Sequence, residues 1–107
     1  MTVTEPLLQE ITDRIVKAFD PEKVILFGSH ADGTSRTDSD VDLLVIMEVE
    51  GSPIQRAVTV KRACRPRFVA MDMLVKTPEE IATQLQQGNF FLHQILTKGR
   101  VLHERHA

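Results

Sequence analysis

Leu7, Leu8, Ile11, Ile15 and Phe19 recur at three- and four-residue spacing, which predicts an amphipathic helix with one apolar stripe. Thr4 stands at its cap and Pro6 in its first turn, where a proline is tolerated. Asp20-Pro21 ends it, because the residue before a proline is pushed out of helical geometry. The rhythm then changes. Val24 to Phe27 is unbroken and apolar, the pattern of a strand covered on both faces, and Gly28 stops it. Gly28 to Ser39 reads as a turn with at most one short helical turn. Val41 to Met47, rich in β-branched and aliphatic residues, is a second strand.

Gly51-Ser52-Pro53 opens a second helix, with Ser52 as cap and Pro53 at the first helical position, running to about Cys64 before Arg65-Pro66 closes it. Phe68 to Val75 is a third strand. Thr77 and Glu80 form a capping box ahead of a short helix to Gln87, and Gly88 is its stop. Phe90 to Lys98 is a further helix ended by Gly99, and Arg100 to Glu104 a short closing strand. Strands alternating with helices predict an α/β (α+β) sandwich, a small mixed sheet packed against helices.

Composition narrows the reading. With 107 residues the chain is expected to form one domain, residues 1–107. Its apolar stretches are far too short to cross a bilayer, and its first residues lack the basic start and apolar run of a signal peptide. The single cysteine, Cys64, fits a reducing compartment, so the expected location is cytoplasmic, with no membrane contact. A net charge of −2 argues against direct nucleic-acid binding, which calls for a basic excess. The charges are nevertheless segregated. Five acids and no base lie between Asp38 and Glu50, then five bases and no acid between Arg56 and Arg67.

The stretch that carries chemistry is Gly28-Ser29, ten residues, then Asp40-Val41-Asp42. Gly28, lacking a side chain, lets another group approach the backbone. Ser29 offers a hydroxyl and a backbone N–H at the turn, a grip for phosphate oxygens. Asp40 and Asp42, two residues apart at the start of a strand, project from one face with Cα atoms about 6.5–7 Å apart. Two carboxylates so spaced can close on one hard cation, with Mg²⁺ the natural guest. Asp72 is the only charge in the third strand, and a lone carboxylate there must be paired, solvated or bound to metal. If that strand lies beside the second, three acids and a phosphate-gripping turn form a two-metal phosphoryl- or nucleotidyl-transfer site. Asp72 is then the candidate to take or orient the proton of an incoming hydroxyl.

Phe27-Gly28-Ser29, ten residues, Asp40-Val41-Asp42 and a later strand aspartate together resemble the minimal nucleotidyltransferases of the DNA polymerase β superfamily. The resemblance extends over nearly the whole chain and implies a single-domain nucleotidyltransferase fold. It implies that Gly28 and Ser29 hold nucleotide phosphates, that Asp40, Asp42 and Asp72 bind two Mg²⁺ ions, and that ATP is the donor. Many members of that family are MntA-type antitoxins, which transfer AMP onto a tyrosine of a cognate HEPN-domain ribonuclease toxin. The thirty or so residues after Val75 leave little to hold an acceptor, so the acceptor site is expected to be shared with a partner or a second copy of the chain. The chain has no tyrosine, so a tyrosine acceptor must belong to another polypeptide. Two rival readings use the same residues: a catalytically silent antitoxin or adaptor that neutralises by binding, and a small-molecule nucleotidyltransferase completed by a second subunit.

Other residues draw plainer readings. Asp32 and Asp38 serve the turn, Ser39 orients the acid loop, and His30 lines the site. Arg36 is more simply solvated than bound to phosphate. The Arg56–Arg67 run is either helical surface charge or a complement to a triphosphate or an acidic partner. His103 and His106 lack companion ligands and are discounted as a metal site. Cys64 is a packing residue. Phe90, Phe91, Leu92, Ile95 and Leu96 are core or interface.

Overall fold

The structure, a computed structural model, describes residues 4–28, 40–64 and 69–105. Within them the chain runs α1 (Glu5–Phe19), β1 (Lys23–Phe27), β2 (Val41–Ile46), α2 (Pro53–Cys64), β3 (Met71–Lys76), α3 (Pro78–Gln86), α4 (Phe90–Lys98) and β4 (Arg100–Glu104). The helix ends follow from their caps. Thr4 Oγ1 accepts from Leu7 N–H at 3.3 Å, and Asp20 leaves α1 in the left-handed conformation at φ 47°. Ser52 Oγ accepts from Gln55 N–H at 3.2 Å. The Thr77–Glu80 capping box is complete, with Glu80 Oε1 accepting from Thr77 N–H at 2.8 Å and Thr77 Oγ1 accepting from Glu80 N–H at 3.1 Å. Each cap satisfies donors that the first turn of a helix leaves orphaned.

The strands form one sheet in the order β3-β2-β1-β4. β1 is antiparallel to both β2 and β4, whereas β2 and β3 run parallel, so the sheet is mixed and the fold α+β. The third strand begins three residues later than the sequence suggests and ends at Lys76. Val69 is already buried, and the Ala70 carbonyl accepts from Val41 N–H at 2.9 Å. The ladder with β2 then holds from Met71 to Lys76, and Phe68 lies outside the described residues.

Alternation along the strands separates two apolar layers. Val24, Leu26, Val41, Leu43, Val45, Met71, Met73 and Val75 meet Leu7, Leu8, Ile11 and Ile15 of α1 and Val60 and Cys64 of α2. On the other face Ile25, Leu44 and Ile46 meet Leu92 and Ile95 of α4, with Phe27, Leu74, Ile81 and Leu96 packed around them. Cys64 is fully buried in the first layer, as expected of a packing residue, and burial pushes its thiol up to about 11.

Arg56 ties the two helical layers together. Its guanidinium donates to Glu80 Oε1 at 2.6 Å with the arginine side chain only 10% exposed. Part of the basic run is thus a structural ion pair between α2 and α3.

Candidate active site

The register sets three residues in one row across three strands. Phe27 of β1 is the partner of Asp42, and Asp42 is the partner of Asp72. Neighbouring strands lie about 4.8 Å apart, so the two aspartates stand side by side on the face shared with α3 and α4. The next row inward, Ile25, Leu44 and Leu74, is wholly apolar. The site therefore occupies one end of a face whose middle is core.

Asp42 is half-buried, while Asp72 and Asp40 are exposed. Asp40 lies just ahead of β2, at the same alternation position as Asp42. A cavity of about 380 Å³ opens in front of the row, lined by Phe27, Asp42, Asp72 and Leu74 together with Lys61 of α2 and Phe91 of α4. The structure thus brings Asp42 and Asp72 to one cavity, and Asp40 is not among the residues that line it.

Gly28 explains how Asp42 fits. It has φ +75°, a region most side chains avoid. A Cβ built there would run into Asp42 Oδ2 and stand 3.2 Å from Asp42 Cγ. The missing side chain is what allows the carboxylate to lie against the backbone at the end of β1. Ser29 lies outside the described residues, as do His30, Asp32, Arg36, Asp38 and Ser39.

Two carboxylates at directly neighbouring positions repel each other, and a divalent cation removes that cost. Mg²⁺ prefers oxygen ligands and commonly takes one or two carboxylates, filling its shell with water and substrate phosphates. Asp42 and Asp72 supply that donor set beside a backbone cradle with no side chain. They fit the ion, although among the described residues no group of three or more His, Cys, Asp or Glu stands close enough to hold a metal.

Lys61 and Phe91 are site residues that sequence reasoning did not single out. Lys61 stands within the basic run, but only the packing of α2 reveals that it, unlike Arg56, reaches the carboxylates' cavity. Phe91 is 57% exposed and meets Phe27 edge to face, with ring centroids 5.9 Å apart. His103 sits near the other end of β1, opposite Val24. Its Nε2 is buried without a hydrogen-bond partner among the described residues. No helix among the described residues is long and apolar enough to cross a membrane.

Known structures share this architecture. A candidate nucleotidyltransferase from Sulfolobus solfataricus superposes with a TM-score of 0.64 at 22% identity, over 94% of this chain and 79% of that one. A chain from a toxin–antitoxin structure with AMP-PNP superposes with a TM-score of 0.56 at 19% identity, over 91% of this chain and 73% of that one. At such identities the likeness is one of fold. No curated protein sequence matches the chain significantly. The sequence profile of the polymerase beta nucleotidyltransferase domain, a family that generally uses a nucleoside triphosphate and Mg²⁺, matches residues 9–107. That span takes in all four strands and the paired aspartates, and the chain belongs to the polymerase beta nucleotidyltransferase family.

Proposed function

We propose that this chain is a Mg²⁺-dependent nucleotidyltransferase that moves AMP from ATP onto a tyrosine hydroxyl of a HEPN-type toxin, and so acts as that toxin's antitoxin. The observation that carries the reading is the Phe27–Asp42–Asp72 row, with two carboxylates side by side at the mouth of one cavity. Support for a partner of this kind comes from a similarly folded chain in a toxin–antitoxin assembly with AMP-PNP.

Asp42 and Asp72, with Asp40 ahead of them on the same side of the chain, would hold two Mg²⁺ ions. Bound there, the metal supplies positive charge against the triphosphate and against the charge that develops at the attacked phosphorus. Gly28 and Ser29 grip the phosphates through backbone N–H groups and the serine hydroxyl. Lys61 adds a fixed cation at the cavity wall, opposite the developing negative charge. The acceptor oxygen forms its bond to the α-phosphorus while the bond from that phosphorus to the bridging oxygen breaks and pyrophosphate leaves. The hydroxyl proton passes to the Asp72 carboxylate and from there to solvent. Since the chain has no tyrosine, the modified residue stands on the partner. A cytoplasmic setting supplies both ATP and Mg²⁺.

Intact-mass analysis of the co-expressed partner, after incubation with this protein, ATP and Mg²⁺, is the test. A gain of one or more AMP units on the partner that disappears with Asp42→Asn/Asp72→Asn is the expected result. Neutralisation of the partner by that variant with no mass gain overturns the catalytic reading in favour of inhibition by binding alone.

A further inference from the structure

The two phenylalanines that close the carboxylate cavity also border a second one. This cavity, of about 220 Å³, lies on the α4 side of Gly28 and is lined by Phe27, Gly28, Phe91, Gln94, Ile95 and Lys98. Among the described residues its lining has no carboxylate, in contrast to its neighbour, which holds Asp42 and Asp72. The Phe27–Phe91 pair thus stands between an acidic chamber and a mainly apolar one.

We propose that the smaller cavity seats the adenine base of the nucleotide whose phosphates sit at Gly28, an inference that rests on the nucleotidyltransferase reading of the larger one. Three features of the lining select a base. At about 220 Å³ the cavity has room for one flat heterocycle. Phe91 exposes more than half of its surface, and an exposed aromatic face is a stacking platform for any base. Gln94 supplies a planar amide, one donor beside one acceptor, which complements the N6 amino donor and N7 acceptor of adenine. The N7 edge of guanine shows two acceptors instead. Lys98 is the one charged residue among the described residues of the lining, and its ammonium attracts the triphosphate chain that continues past Gly28.

Gln94 and Phe91 are far apart in character, so substitutions at each read out different things. Both are exposed, and replacing them spares the core. Calorimetric titration with ATP, GTP, CTP and tripolyphosphate, each with Mg²⁺, measures binding without turnover. Wild-type protein should prefer ATP. Phe91→Ala should weaken all three nucleotides about tenfold or more, while leaving tripolyphosphate, which has no base, unchanged. Gln94→Leu should narrow the preference for ATP over GTP and keep the stacking contribution. Equal binding of the three nucleotides, unaffected by Phe91→Ala, overturns the base seat while the phosphate site stands. Failure of the wild type to bind any nucleotide or tripolyphosphate overturns both together.

Discussion

The two faces of the sheet are built from the same strands, residue by residue in alternation, and they do different work. On the α1 and α2 face the inward positions of β1, β2 and β3 are all aliphatic or methionine, and Val24, Leu26, Val41, Leu43 and Val45 are completely buried. On the α3 and α4 face the rows change along the strands, from Ile25, Leu44 and Leu74 to Phe27, Asp42 and Asp72. Helix α4 covers the first row with Leu92 and Ile95 and leaves the second facing the carboxylate cavity. One face holds the fold together, and the end of the other is free to carry charge. A carboxylate on the closed face would have to be desolvated and would unfold the protein. On the open face it costs little.

Substitutions should separate the faces sharply. Leu43→Ala, on the closed face, should cost about 2–5 kcal/mol in denaturant unfolding through lost burial and the cavity left behind. Leu74→Ala, half-exposed on the open face, should cost about 1–2 kcal/mol. Equal losses at the two positions would erase the distinction.

Gly28→Ala tests the join between the faces' scaffold and the site. A left-handed backbone conformation costs an alanine about 1–2 kcal/mol, and its methyl group would displace the Asp42 carboxylate. Stability should fall by that amount, and nucleotide binding with Mg²⁺ should be lost. Binding at wild-type strength would show that Asp42 does not need its place against Gly28.

The smallest effect concerns Glu80, which lies away from the cavity. The Thr77 backbone N–H, aided by the Arg56 guanidinium, holds the Glu80 carboxyl below its ordinary 4.5. A carboxyl depressed in the folded state binds fewer protons than in the unfolded one. Its contribution is therefore full above pH 4.5 and is lost as pH falls through the folded value. Glu80→Gln should lower Tm slightly at neutral pH and flatten the acid limb of a Tm–pH profile, with no change in nucleotide binding. An unchanged acid limb would mean that the α2–α3 tie does not report on Glu80.

Much of this was legible locally. The caps at Thr4, Ser52 and Thr77 and the apolar runs of β1 and β2 depend on neighbours in sequence, and the structure has them where the pattern sets them. The shared face of Asp42 and Leu74 follows from period-two alternation once β3 lies beside β2. The pairing itself does not, since nothing local to Phe27, Asp42 or Asp72 specifies that they stand in one row. Arg56 and Glu80 are 24 residues apart, and Lys61 shares its helix and its charge with Arg56. Only packing tells the structural cation from the one at the cavity. β3 begins later than its composition suggests because Val69 and Ala70 extend the apolar run, while residue-by-residue pairing with β2 starts only at Met71 and Ala70 contributes a single carbonyl bond to Val41. Phe91 reads as core or interface from its sequence, and it is exposed on a helix whose Leu92 and Ile95 are buried.

The central claim is that the open end of the sheet is a metal-dependent nucleotide site formed by Asp42 and Asp72. Its most direct test is calorimetric titration of a non-hydrolysable ATP analogue, with and without Mg²⁺, into wild type and Asp42→Asn/Asp72→Asn. Wild type should bind in a Mg²⁺-dependent way. The double variant should lose at least about tenfold in that affinity while keeping the wild-type circular-dichroism spectrum. Binding by the variant as tight as that of wild type, with the same dependence on Mg²⁺, would contradict the claim.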